Sequence, residues 1–130
     1  MSLVSILPVL AGILYILFMV FIIYKDQTSQ KWSWIFPALL SLLFLFFTLL
    51  AVFSEGPTGF WTEHIRNMWG NQIWFDLLLA AGIGWLLIVP QAKALNMRLP
   101  LWLVLIVSTG CIGFLAMVAR MLYLREHHGK

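Results

Sequence analysis

Phe60-Trp-Thr-Glu-His-Ile-Arg-Asn-Met-Trp-Gly-Asn-Gln-Ile-Trp-Phe-Asp76 is the one long stretch of this chain in which polar, charged and aromatic residues are mixed. Outside it lie apolar runs and short connectors. Of the 130 residues, 62% are hydrophobic and only 10% are charged, more apolar surface than a soluble domain of this size can hide. Lipid is therefore the expected solvent, and a bilayer core of about 30 Å asks for apolar runs of about 20 residues. Four runs qualify: Leu3 to Tyr24, Trp34 to Phe53, Ile73 to Leu95 and Pro100 to Leu124. The expected fold is all-α, a single four-helix transmembrane domain over residues 1–130. A short interfacial amphipathic helix is expected between helices 2 and 3.

The connector residues support that helix. Gly56, Pro57 and Gly59 break the second run, and Thr58 can cap the helix after them. Trp61, Ile65, Met68, Trp69 and Ile73 recur at helical spacing, while Glu63, Asn67 and Asn71 fall on another face. At the other end of the chain, Leu3 to Tyr24 is too long for a signal-peptide apolar region. No basic residue precedes it and no small-x-small cleavage site comes after it, so it reads as a retained span.

The net charge of +3 comes from scattered Lys and Arg. That pattern argues against a nucleic-acid partner and suits membrane lipids with anionic head groups. Cys111 is the sole cysteine, which excludes an internal disulfide; its place in the middle of a span suggests a buried, inert thiol. For orientation, connectors one and three hold Lys25, Lys31, Lys93 and Arg98, and the other side holds Arg66, Arg120, Arg125 and Lys130. The positive-inside count is almost tied. The uncharged N-terminus then places both termini and the 54–72 connector outside the cytoplasm.

Ionisable residues within spans usually face protein or water. Asp76 lies 20 residues before Asn96, and Arg120 lies 20 after Pro100. Two antiparallel helices joined by the 96–99 turn would bring them to the same depth. Asp76, Ala80 and Gly84 share one stripe, and Thr109, Gly113, Ala116 and Arg120 share another, both built of small residues that allow close helix packing. The expectation is an intramembrane Asp76–Arg120 ion pair, with Arg120 snorkelling to head groups as the alternative. Such a pair serves chiefly to fix helix register. Its functional version is a polar pocket under the connector lined by His64, Asn67, Asn71 and Gln72.

Other candidates are weaker. Glu63-His64 has no second His at metal spacing, and three or more ligands are normally needed, so no metal is expected. His127 and His128 fall in a charged tail. Trp61, Trp69 and Trp74 suit interfacial anchoring, or a flat aromatic platform for an isoprenoid or carotenoid chain. No Ser-His-Asp set, phosphate loop or dinucleotide fingerprint occurs, and no cofactor is expected.

Three segments carry a resemblance: Trp69-Gly70-Asn71-Gln72-Ile73-Trp74-Phe75-Asp76-Leu77-Leu78, Leu95-Asn96-Met97-Arg98, and Ala119-Arg120-Met121-Leu122-Tyr123-Leu124-Arg125-Glu126. Over about residues 60–125 the chain resembles a family of small uncharacterised bacterial inner-membrane proteins, a domain of unknown function. The resemblance implies a multi-pass protein of the bacterial inner membrane and no particular activity. A fainter similarity is to small integral-membrane carotenoid cyclases, which also place an aromatic-Asp pair at a helix start; their paired acidic motif is missing here. The expected role is a non-enzymatic accessory or scaffold subunit of a larger membrane complex, or a lipid-binding protein. Its partners would be lipids, other membrane subunits or further copies of itself. The alternative is an enzyme or carrier for an isoprenoid or carotenoid-type molecule held under the 60–76 segment.

Overall fold

The computed structural model describes residues 2–26 and 31–127; His128 and Lys130 lie outside them. Six helices occur in order: α1 (Leu3–Tyr24), α2 (Ile35–Glu55), α3 (Gly59–His64), α4 (Met68–Ala94), α5 (Leu99–Thr109) and α6 (Cys111–His127), with no strand among the described residues. Three of them, α1, α2 and α4, are long and apolar enough to cross a membrane. The chain divides into two compact units, residues 1–30 and 31–130.

The first unit is α1. Ser2 caps it by accepting from the Ser5 N–H at 3.3 Å, and the two hydroxyls meet at 2.8 Å. Pro8 falls in the second turn, and the helix runs on past it to Tyr24.

In the second unit α6 is the hub. Its Gly113, Met117, Ala119 and Met121 are buried. Along one side it packs on the first half of α2, with Trp34 edge-on to Tyr123 and the Ser41 hydroxyl donating to the Ile112 carbonyl at 2.8 Å. Along another, Met117 and Met121 meet Ile88 and Ala92 of α4. The Phe114 ring lies over Gly84, so α4 and α6 run in the same direction. Lipid offers little hydrophobic drive for such contacts, so close approach at small residues and interhelical hydrogen bonds supply the attraction. Gly113, Ala116 and Ala119 on α6 and Ala38 and Ser41 on α2 provide that surface.

The expected fourth span, Pro100 to Leu124, is not one helix. Gly110 sits at φ 66°, ψ −127°, backbone that glycine alone adopts at little cost, and the chain turns back there. Leu99, Trp102 and Ile106 of α5 then pack against the cluster that holds Met117 and Met121. An unbroken helix would hold Leu99 and Met121 about 33 Å apart. At the turn, Thr109 joins the two arms: its hydroxyl donates to the Leu105 carbonyl at 2.7 Å and accepts from the Gly113 N–H at 2.9 Å. A Cβ on Gly113 would sit 2.9 Å from the Leu105 oxygen, which is how closely the arms approach. With 11 residues, α5 is about 16 Å long, half a bilayer core. Three helices are thus long and apolar enough to span a membrane, and residues 100–124 form a helical hairpin where a single helix was expected.

The other boundaries differ less. The interfacial helix shrinks to the six residues of α3, because Met68 onward belongs to α4. Thr58 holds the N-cap position without a side-chain bond. At the far end of α4, the Met97 N–H reaches the Ala92 carbonyl at 3.0 Å and the Asn96 N–H the Lys93 carbonyl at 3.1 Å. Asn96, at φ 56°, closes this Schellman turn, as an asparagine just past a helix end can. Cys111 is exposed at the hairpin tip rather than buried.

Candidate functional site

The 60–76 segment folds as a tight corner between α3 and α4. Asn67 caps α4, its side-chain oxygen accepting from the Gly70 N–H at 2.8 Å. The Asn71 amide donates to the His64 carbonyl at 2.8 Å and so ties the end of α3 to the second turn of α4. Gly70 is buried against backbone: a Cβ there would press on the Glu63 carbonyl and lie 2.9 Å from the His64 oxygen. Four rings brace the corner. Trp61 and Trp74 meet edge-on at 6.1 Å and 89°, His64 tilts over Trp74 at 4.8 Å, and Phe60 meets His64 at 6.3 Å. The edge-on geometry gives no flat platform, and Trp69 stands outside the cluster, 73% exposed.

The expected pocket residues are therefore brought together in part. His64, Asn67 and Asn71 converge: the Asn67 and Asn71 side chains bond to backbone of the corner, and His64 gives its carbonyl to Asn71 and its ring to Trp74 and Phe60. Gln72 is exposed and makes no hydrogen bond among the described residues. Glu63 pairs with Arg66 at 3.2 Å, with both side chains mostly in the open, where such a pair contributes little. Among the described residues no three His, Cys, Asp or Glu side chains gather as metal ligands would.

Asp76 and Arg120 do not form the expected ion pair. The reversal at Gly110 explains why. It turns α6 back toward the α4–α5 connection, so Arg120 shares a cavity wall with Asn96 and Arg98. Asp76 stays near the α3 end, eight residues above Gly84 on α4. Asp76 is exposed and has no hydrogen bond or ion pair among the described residues. Arg120 lies 5.7 Å from the centroid of the Tyr123 ring.

Two open clefts lie at Arg120, away from the corner. One, of about 450 Å³, is bounded by the Leu95–Arg98 turn, Trp102 and Leu105 of α5, and Arg120. The other, of about 440 Å³, lies between α2 and α6, with Trp34, Ser41, Ala116 and Tyr123 on its walls and Arg120 again at its edge. Beside them Arg125 hydrogen-bonds Gln91, and Glu126 accepts from the Trp32 N–H at 3.2 Å. Trp32 holds a left-handed φ of 63°, pinned by that bond. Sequence reasoning placed Arg98 in a connector and read Pro100 to Leu124 as one span, so it did not group Arg98 and Trp102 with Arg120. The signal was Ser108-Thr109-Gly110, a punctuation mark inside an apolar run.

No protein-family model matches the chain, and no curated protein or solved structure is similar to it.

Proposed function

We propose that this chain is a non-enzymatic accessory or scaffold subunit of a larger membrane complex, in the bacterial inner membrane that its resemblance suggests. One observation carries the reading: the exposed, unpartnered carboxylate of Asp76. It lies about 12 Å along α4 from Met68, just inside the apolar part of the helix. An acid there is costly in lipid and normally faces protein or water. Within the second unit, α4 packs on α5 and α6 only through its later turns, and α2 and α4 hardly meet. A helix of another subunit, offering a cation or an amide, would cover Asp76.

The test is native mass spectrometry of the particle extracted in mild detergent. The expected result is a stoichiometric partner chain. Asp76→Asn should lose that partner while keeping the chain folded, since Asp76 supports no contact inside the second unit. A wild-type particle that carries no other chain would end the scaffold reading. The isoprenoid or carotenoid alternative draws no support from the corner, where Asn67 and Asn71 bond to backbone and the rings meet edge-on or tilted rather than as a flat platform.

The hairpin also bears on orientation. With α6 turned back, Lys31, Lys93, Arg98, Arg120 and Arg125 gather at one end of the second unit, against Arg66 at the α3 end. The positive-inside rule then puts the end of α6 and the 95–98 turn in the cytoplasm and α3 outside. On this proposal the 54–72 connector lies outside the cytoplasm and the C-terminal end of α6 inside it.

A further inference from the structure

Of the four arginines, Arg66 is paired with Glu63 and Arg125 with Gln91. The other two, Arg98 and Arg120, make no hydrogen bond or ion pair among the described residues. These are the two that line the 450 Å³ cavity, and no carboxylate lines it with them. Arg120 touches the Tyr123 ring, a contact that leaves its N–H donors open. Asn96 adds an amide at the rim, Trp102 an indole, and Leu101 and Leu105 an apolar wall.

The chemistry of that lining is specific. Guanidinium groups present forked N–H donors that match phosphate oxygens two at a time. Both arginines are exposed near helix ends with no carboxylate beside them among the described residues, a setting that suits an anionic head group. The volume lies within the range of about 300–1,000 Å³ found for ligand clefts. An apolar wall below a pair of cations also repeats the order of a lipid, with charge above and acyl chain beneath. Basic pockets between membrane helices on the cytoplasmic side bind anionic head groups on this basis.

We propose that the cavity binds one anionic phospholipid. Its phosphodiester lies between Arg98 and Arg120, and an acyl chain runs along Leu101 and Leu105. The site needs only that the helices lie in a bilayer, so it stands or falls separately from the scaffold reading.

Full-length protein in a neutral detergent, offered equal amounts of dioleoyl phosphatidylglycerol and dioleoyl phosphatidylcholine, tests this by native mass spectrometry. The wild type should hold one phosphatidylglycerol with about a tenfold preference, equivalent to about 1.4 kcal/mol. R98Q and R120Q should each erase the preference, and R66Q, at the opposite end, should keep it. L105W fills the groove with both charges in place and should also lose the lipid, which covers the case of an arginine variant that does not fold. Millimolar inorganic phosphate should leave the adduct intact. Equal retention of the two lipids overturns the proposal. So does an unchanged preference in R98Q, R120Q or L105W, and displacement by inorganic phosphate would reassign the cavity to a soluble phosphate compound.

Discussion

Gly70 and Thr109 show how single residues hold this chain in shape. At Gly70 any side chain would press on the backbone of α3, which cannot swing aside as a side chain would. Gly70→Ala should therefore destabilise the α3–α4 corner by about 1–3 kcal/mol, the usual cost of overpacking. Unfolding of the purified protein by titration with SDS, monitored by tryptophan fluorescence, checks it. Thr109 donates to one arm of the hairpin and accepts from the other. Thr109→Val keeps the shape and removes both bonds; the expected loss is about 1–3 kcal/mol, because the Gly113 N–H is left without its partner. Thr109→Ser, which retains the hydroxyl, should restore most of it in the same assay. At this scale much was legible in advance. Asn96 could be read as a cap from its type and place, because few residues accept a left-handed φ. The Asp76–Arg120 pair could not, because its logic assumed an unbroken helix between Pro100 and Arg120.

At the scale of elements, hydropathy and length were enough to find α1, α2 and α4, whose bounds differ from the sequence reading by a few residues. They were not enough for residues 100–124. That run is as long and apolar as a true span, and composition does not register one glycine in an unusual backbone state. What decides the matter is three-dimensional: the 11 residues of α5 fold back, and the 17 of α6 gain contacts with α2, α4 and α5. The hairpin makes a direct prediction. In a Cys111→Ser background, Met97→Cys and His127→Cys should both react with a membrane-impermeant maleimide from the same face of the membrane. Labelling from opposite faces would restore the continuous span. The α3–α4 corner was half legible for a similar reason: its aromatic and polar residues were singled out, but their mutual pairing depends on a reversal between His64 and Met68 that spacing alone does not encode.

At the largest scale, the hairpin brings Arg120 and Arg125 to the end of the second unit that holds Lys31, Lys93 and Arg98. A near tie between the two sides becomes five cations against one among the described residues of the second unit, which predicts the placement of reporters. Green fluorescent protein fused after the last residue should fluoresce, and alkaline phosphatase at the same place should be inactive. Phosphatase inserted between Pro57 and Thr58 should be active. The reverse pattern would show that the Arg98 and Arg120 end faces away from the cytoplasm. The dependence on α6 also bears on how the protein is made. The ribosome delivers α2 and α4 to the bilayer before the helix that clasps them exists. Until then they are two lone rods, free to drift apart or to be captured by a quality-control protease. A nonsense codon anywhere ahead of Cys111 would therefore abolish the assembly instead of trimming it.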